Sequence, residues 1–129
     1  MKSTPPISTV MSPCPHRVLI DDSIAHAVDM MRKHRVRHLP VLKGEKLIGI
    51  VSERDITFGL ALSKKLTISE VYTPEPFVVS PKEPLDKVAA QMAEERFGCA
   101  LVMDKDKLVG IFTTTDACRV LASIVAEAE

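Results

Sequence analysis

The sequence is short of aromatic residues and has no excess charge of either sign. Aromatic residues make up 4% of the 129 positions and tryptophan is absent, so any core has to be built from aliphatic side chains. The 17 basic residues are balanced by 17 acidic ones. Without a basic field that attracts phosphates non-specifically, we expect no nucleic-acid partner.

Long apolar runs and paired cysteines are also missing. No stretch approaches the roughly 20 apolar residues that a membrane-spanning helix needs, and the first six residues lack the apolar segment of a signal peptide. The three cysteines, Cys14, Cys99 and Cys118, are odd in number and form no Cys-x-x-Cys motif, which favours reduced thiols. We therefore predict a cytoplasmic protein that does not contact membranes.

An internal repeat is the strongest signal in the chain. Residues 7–58 align with residues 68–119 without a gap at a constant offset of 61, and 14 of the 52 aligned pairs are identical. Chance would give roughly three identities at ordinary amino-acid usage. We therefore predict two tandem copies, residues 7–62 and 68–126, which follow an N-terminal tail of residues 1–6 and together form one module.

Both copies show the same order of predicted elements: helix, strand, helix, strand, strand, helix. In the first copy, Ile24, Ala27, Val28 and Met31 recur at the spacing of a helix with one apolar face. The fold class is therefore α+β. One copy buries too little surface to be stable alone, so we expect the copies to pack sheet to sheet about a pseudo-twofold axis. The remaining predicted bounds are turns at 7–11 and 68–72, strands at 16–20, 38–42, 46–52, 77–80, 99–103 and 107–113, and closing helices at 53–62 and 114–126.

Two segments of each copy resemble a known family. In the first copy they are Arg37-His38-Leu39-Pro40-Val41 and the stretch from Leu47 to Asp55, which contains Gly49-Ile50-Val51-Ser52. In the second copy they are Cys99-Ala100-Leu101-Val102 and the stretch from Leu108 to Asp116, which contains Gly110-Ile111-Phe112-Thr113. These segments are similar to the core of the cystathionine-β-synthase (CBS) domain. The chain as a whole resembles a pair of such domains, often called a Bateman module.

The resemblance implies a function and a set of partners. Members of the family bind adenosine-containing ligands, namely AMP, ADP or ATP and less often S-adenosylmethionine, in clefts between the two repeats. They require no cofactor, have no catalysis of their own, often form homodimers and regulate an attached or associated protein. Because the sequence shows no effector domain, we expect this chain to act on an unidentified partner protein in trans.

Four residues at the start of the closing helices are the first candidate ligand contacts. Asp55 and Asp116 follow a strand and open a helix, where a carboxylate can accept ribose hydroxyls or can simply be favoured by the helix dipole. Ser52 and Thr113 end the preceding strands. Their hydroxyls can contact ribose or phosphate, can cap the helix, or can do both.

Basic candidates belong to the first copy only. Arg37, His38 and Arg54 lie where family members often hold phosphates, although a solvated basic run at a helix end would have the same composition. Their counterparts in the second copy are uncharged, namely Gly98, Cys99 and Thr115. We therefore expect two unequal ligand sites.

The last candidates stand on the first strand of each copy. Val18, Val78 and Val79 match the edge at which family members read adenine. Because main-chain groups do this reading, the side chains at these positions are equally compatible with the core or with a pocket wall.

Two other function classes stay open. A structural module without ligand would dimerise or bind a partner through the apolar face of its last helix, which carries Val120, Leu121, Ile124 and Val125. An enzyme would have to use Cys99 or His38, and the sequence shows no catalytic triad or dyad around them. No zinc-ligand spacing is found among Cys14, His16, His34 and His38, so we predict no metal site and no enzyme.

Overall fold

The chain folds into two compact units. The computed structural model describes residues 4–14 and 16–128, so residues 1–3 of the predicted tail lie outside the described part. The middle unit ends at Pro76, and the terminal unit combines the segment up to Cys14 with the chain from Phe77 onward. Among the helices of the described residues, none is both long enough and apolar enough to cross a membrane.

The middle unit combines a four-stranded sheet with two helices. Its elements are β1 (Val18–Leu19), α1 (Ile24–His34), β2 (His38–Lys43), β3 (Lys46–Ser52), α2 (Glu53–Leu62), a 3-10 turn (Ile68–Glu70) and β4 (Thr73–Pro74). The strands lie in the order β1-β2-β3-β4, with β1 parallel to β2 and the other neighbours antiparallel. The core is aliphatic, as the composition predicts, and Leu39, Val41 and Val51 are fully buried in it.

Local sequence determines where α1 begins and ends. The Ser23 side chain caps the helix by accepting a hydrogen bond of 3.1 Å from a first-turn amide. Ile24, Ala27 and Met31 form the buried face, as their spacing predicts. The helix ends at Arg35, which adopts the left-handed conformation with a φ of 55°. The Arg35 amide donates a hydrogen bond to the carbonyl oxygen of Met31.

The terminal unit repeats this arrangement with one strand fewer. Its elements are a 3-10 turn (Ile7–Thr9), β5 (Val78–Val79), α3 (Leu85–Glu95), β6 (Cys99–Asp104), β7 (Lys107–Thr113) and α4 (Thr114–Ala128). The strands lie in the order β5-β6-β7, and Ser12 pairs with Ile111 of β7 where β4 pairs with β3 in the middle unit. The aromatic residue Phe112 is fully buried in this unit's core, so the expectation of a purely aliphatic core is wrong here.

The opening turn of each repeat packs with the rest of the other repeat. Ile7 is fully buried in the terminal unit, and its amide donates to the carbonyl of Glu83 (2.7 Å). Pro5, from the predicted tail, accepts a hydrogen bond of 2.9 Å from the amide of Leu85 in the same unit. Ile68 is likewise buried in the middle unit. The compact units therefore have different boundaries from the sequence repeats.

The glycine that both repeats share allows a neighbouring chain segment to approach closely. A Cβ atom at Gly49 would meet the carbonyl oxygen of Thr73, in the strand that pairs with β3. A Cβ atom at Gly110 would meet the side chain of Met11 instead, together with the carbonyl oxygen of Ser12 at 3.0 Å. Steric contact, rather than an unusual φ, therefore explains this part of the repeated motif.

Most predicted elements are confirmed, and the differences lie in the short strands. The α+β class and the bounds of β3, β7 and α2 agree with the prediction, and α4 runs two residues beyond it. The predicted strands 16–20 and 77–80 shorten to β1 and β5. A turn closed by hydrogen bonds between Leu19 and Asp22 ends β1. The pattern did not predict β4, because a two-residue edge strand that contains a proline carries no periodic signal.

The shared glycines make a testable pair. We expect Gly49→Ala to lower the free energy of unfolding by about 1–3 kcal/mol, since the added methyl group meets backbone that cannot move without breaking the β3–β4 pairing. The matched variant Gly110→Ala should cost less, because the flexible Met11 side chain can move aside. Urea denaturation of both variants measures the difference, and a larger cost at Gly110 would contradict this explanation.

Candidate functional site

Both predicted aspartates lie in a capping box at the start of a closing helix. In the middle unit, the Asp55 amide donates to the Ser52 hydroxyl oxygen (3.1 Å), and the Ser52 amide donates to Oδ2 of Asp55 (2.9 Å). In the terminal unit, Asp116 and Thr113 exchange the same pair of bonds at 3.2 and 2.9 Å. The capping role that the sequence left open is therefore present in both copies.

The carboxylate of Asp55 keeps one oxygen unused. Its Oδ2 atom accepts the Ser52 amide and has a weak contact of 3.5 Å with the Thr73 hydroxyl. Within the described residues, no group donates to Oδ1 of Asp55. The Ser52 hydroxyl also donates to no acceptor in this part of the chain. Both residues are half-buried, so the first repeat offers a hydrogen-bond acceptor and a donor side by side.

The carboxylate of Asp116 is fully engaged. Its Oδ2 atom accepts both the amide (2.9 Å) and the hydroxyl (3.1 Å) of Thr113. Its Oδ1 atom accepts the Ser12 hydroxyl (2.7 Å) and a guanidinium N–H of Arg119 (2.9 Å). Asp116 is only 4% exposed. The second repeat therefore holds a buried, saturated carboxylate at the position where the first repeat holds an accessible one.

Three residues of these two constellations were missed by sequence reasoning. Thr73 and Ser12 occupy equivalent positions at the repeat offset, but each lies far along the chain from the aspartate that it contacts. Arg119 had a local signal, because residues three positions apart on a helix are neighbours and an acidic and a basic side chain attract each other there.

The basic candidates of the first copy lie at the same end of the sheet as Asp55. His38 is the cross-strand partner of Ser52, and the Arg37 carbonyl accepts the Glu53 amide at 2.8 Å. The Arg37 and Arg54 side chains are exposed. Burial lowers the pKa of His38, and the nearby Asp55 carboxylate offsets this only in part. His38 is therefore mostly neutral at pH 7, so the positive charge at this end comes from the arginines.

Their counterparts in the second copy carry no charge. The Gly98 carbonyl accepts the Thr114 amide (3.2 Å), and Cys99 is the cross-strand partner of Thr113. Burial raises the pKa of the Cys99 thiol to about 12, with a smaller contribution from Cys14. Because a thiol is nucleophilic only as the thiolate, Cys99 is unsuited to covalent catalysis at neutral pH.

The three valines of the predicted adenine edge have different environments. Val18 and Val79 are core residues, at 1% and 9% exposure, whereas Val78 is 44% exposed. A depression of about 370 Å³ runs along β5 and is lined by Val78, Val79, Lys87 and Gln91 among others. A second depression of about 310 Å³, between α1 and α2, contains none of the predicted site residues. Neither includes Asp55 or Asp116.

Two histidines of the first copy form a stacked pair. The rings of His16 and His34 lie 3.5 Å apart with an angle of 13° between their planes. Burial and the neighbouring His16 lower the pKa of His34. In the described part of the chain, no group of three or more histidine, cysteine, aspartate or glutamate side chains is placed to hold a metal ion.

Known proteins are similar to this chain in sequence and in fold. The L-aspartate semialdehyde sulfurtransferase of Methanocaldococcus jannaschii is 34% identical over 115 residues, which cover 88% of this chain and 22% of that protein. The chain spans about a fifth of the length of the curated relatives that it matches first.

Two solved structures are similar over nearly the whole chain. The CBS domain pair of protein MJ0100, in complex with 5′-methylthioadenosine and S-adenosyl-L-methionine, is 31% identical, with a TM-score of 0.86 and coverage of 93% of this chain and 98% of that one. CBSX2 of Arabidopsis thaliana in complex with AMP is 26% identical, with a TM-score of 0.79 and the same coverage. The CBS domain model itself matches residues 7–61 and 68–123. The chain therefore belongs to the CBS-domain family and carries two such domains in tandem.

Proposed function

We propose that the chain is a regulatory module that binds an adenosine nucleotide at the site of the first repeat and acts on a partner protein in trans. The observation that carries this proposal is the unused Oδ1 atom of Asp55 beside the unused hydroxyl hydrogen of Ser52. Two relatives that share the fold were solved with AMP and with S-adenosyl-L-methionine, and adenosine is the part common to both ligands.

The chemistry of ribose matches this pair. A ribose carries two adjacent hydroxyls that donate hydrogen bonds, and an ionised carboxylate is purely an acceptor. Hydrogen bonds to a charged acceptor are roughly twice as strong as neutral ones. Asp55 would accept a ribose hydroxyl on Oδ1 while its Oδ2 atom keeps the helix cap, so ligand binding does not require the helix to lose its first-turn hydrogen bond.

Charge favours a phosphate over a sulfonium group. Arg37 and Arg54 are exposed near Asp55, and one guanidinium group can bind two phosphate oxygens at once. The amino-terminal end of α2 adds partial positive charge at the same place. His38, which is mostly uncharged at pH 7, would contribute a hydrogen bond rather than positive charge. AMP, ADP and ATP therefore fit better than S-adenosylmethionine, whose sulfonium is itself positive.

Regulation without catalysis is part of the same proposal. The buried Cys99 thiol stays protonated at neutral pH. His38 lies across the strand from Ser52, but no hydrogen bond joins the imidazole to the Ser52 hydroxyl within the described residues. A ligand that binds one state of the module better than another would change a partner's affinity through a coupling of about 1–3 kcal/mol. The three cysteines form no disulfide in the described part of the chain, which supports a reducing, cytoplasmic location.

The nucleotide proposal is tested by titrating AMP into the chain by calorimetry at pH 7. We expect AMP to bind. We expect Asp55→Asn to weaken the affinity about tenfold, because a neutral amide lacks the negative charge with which the carboxylate strengthens the hydrogen bonds from ribose. Asp106→Asn makes the same chemical change at an exposed turn and should leave the affinity unchanged. Absence of binding for AMP, ADP, ATP and S-adenosylmethionine at millimolar concentration would contradict the proposal.

A second role, as a homodimer, is favoured by the exposed face of α4. Leu121, Ile124 and Val125 are 60%, 45% and 53% exposed on this helix. Their apolar area is what a self-complementary dimer contact requires. We propose that a second copy of the chain covers this face, with or without nucleotide.

Light scattering during size-exclusion chromatography tests the homodimer. We expect a mass twice the 14.2 kDa of one chain, and we expect Leu121→Asp to give a monomer because the contact would bury an unpaired charge. Lys105→Asp adds an acidic residue at an exposed turn as the control. A wild-type chain that stays monomeric at about 100 μM, well above the range of stable dimers, would rule this role out.

A further inference from the structure

The saturated carboxylate of Asp116 distinguishes the second repeat from the first. Four donors from Thr113, Ser12 and Arg119 occupy its two oxygens, whereas the donors to Asp55 all reach a single oxygen. In each copy the helix cap accounts for one of these bonds, from the amide of Ser52 to Asp55 and from the amide of Thr113 to Asp116. The extra bonds from Ser12 and Arg119 have no part in capping, and their effect is to close Oδ1 of Asp116.

The sequence repeat shows which residues make this difference. At the constant offset of 61, Arg119 corresponds to Phe58, which is 66% exposed and cannot donate a hydrogen bond. Ser12 corresponds to Thr73, whose hydroxyl lies 3.5 Å from Asp55, against 2.7 Å from Ser12 to Asp116. Each unit therefore serves as the internal control for the other.

We infer that Arg119, supported by Ser12, is a latch that closes the carboxylate of the second repeat to ribose, so that one nucleotide rather than two binds per chain. This inference rests on the proposed function of the first repeat. It makes Arg119 a specificity-determining residue that does not itself contact the bound ligand. The duplicated scaffold would otherwise offer an equivalent aspartate in each copy.

The energetics of the latch follow from its burial. A ribose that used Asp116 would have to displace the Ser12 hydroxyl and the Arg119 guanidinium from an acid that is 4% exposed. The Arg119 side chain is 68% exposed. Removing Arg119 takes a donor from a buried carboxylate, but Ser12 and Thr113 still donate to Asp116 in the single variant. The latch is thus open to test by substitution.

The first arm of the test opens the second site. AMP is titrated by calorimetry into the wild-type chain, into Arg119→Ala and into the double variant Arg119→Ala/Ser12→Ala. The expected stoichiometry rises from one AMP per chain in the wild type to two in the variants. Second-site binding should appear in the single variant, because Oδ1 of Asp116 loses one competing donor, and should be tighter in the double variant, which lacks both competing donors. Circular dichroism melting checks that each variant is folded.

The reciprocal arm closes the first site. Phe58→Arg places a guanidinium three positions after Asp55, as Arg119 stands after Asp116, and should weaken AMP binding at the first repeat about fivefold. Phe58→Ala removes the ring without adding a donor and is the matched control, which should bind as the wild type does.

The outcomes separate this inference from the proposed function. One AMP per chain in both the wild type and a folded Arg119→Ala/Ser12→Ala variant overturns the latch and leaves the first site intact. Two AMP per wild-type chain, with loss of one on Arg119→Ala, also overturns it, because Arg119 would then be a ligand contact. Binding by the variants but not by the wild type supports the latch and contradicts the first-repeat site. No binding by any of them contradicts both.

Discussion

The hydrogen bond from the N-cap amide to the aspartate three positions later anchors both candidate sites. It brings the end of a strand, the start of a helix and an acidic side chain to one place, at Ser52 and Asp55 in one unit and at Thr113 and Asp116 in the other. Because this bond occupies a single carboxylate oxygen, the second oxygen is left for another partner. The proposed ligand site of the first repeat rests on the absence of such a partner at Asp55 within the described residues, whereas Asp116 has two.

The rest of the fold sets the surroundings of that second oxygen. The repeated glycine lets a neighbouring segment run close beside β3 and β7, and this segment carries Thr73 in one unit and Ser12 in the other. Duplication therefore delivers a hydroxyl near each carboxylate. The difference between 3.5 and 2.7 Å, together with the exchange of Phe58 for Arg119, gives the two carboxylates different surroundings on equivalent scaffolds.

The parts of this picture that are local could be predicted from the sequence. The apolar spacing of α1 and the strand–helix junctions at Ser52 and Thr113 depend on neighbouring residues, and their predicted positions are confirmed. The contact between Ser12 and Asp116 joins residues 104 positions apart, so no local pattern reports it. The packing of each opening turn with the rest of the other repeat also depends on residues that are distant in sequence. The apolar side chains of Ile7 and Ile68 could be buried in either repeat, so the sequence pattern does not distinguish the two arrangements. The basic residues of the first copy predict unequal ligand sites from the sequence alone. The different contacts of the two carboxylates could be seen only from atomic positions.

A crystal structure of the wild-type chain grown with AMP measures the central asymmetry most directly. We expect ribose hydroxyls within hydrogen-bond distance of Oδ1 of Asp55, with the pair between Arg119 and Asp116 unchanged from its present 2.9 Å. Ribose bound at Asp116 with Arg119 displaced, or nucleotide bound away from both aspartates, would contradict the assignment of the ligand site to the first repeat.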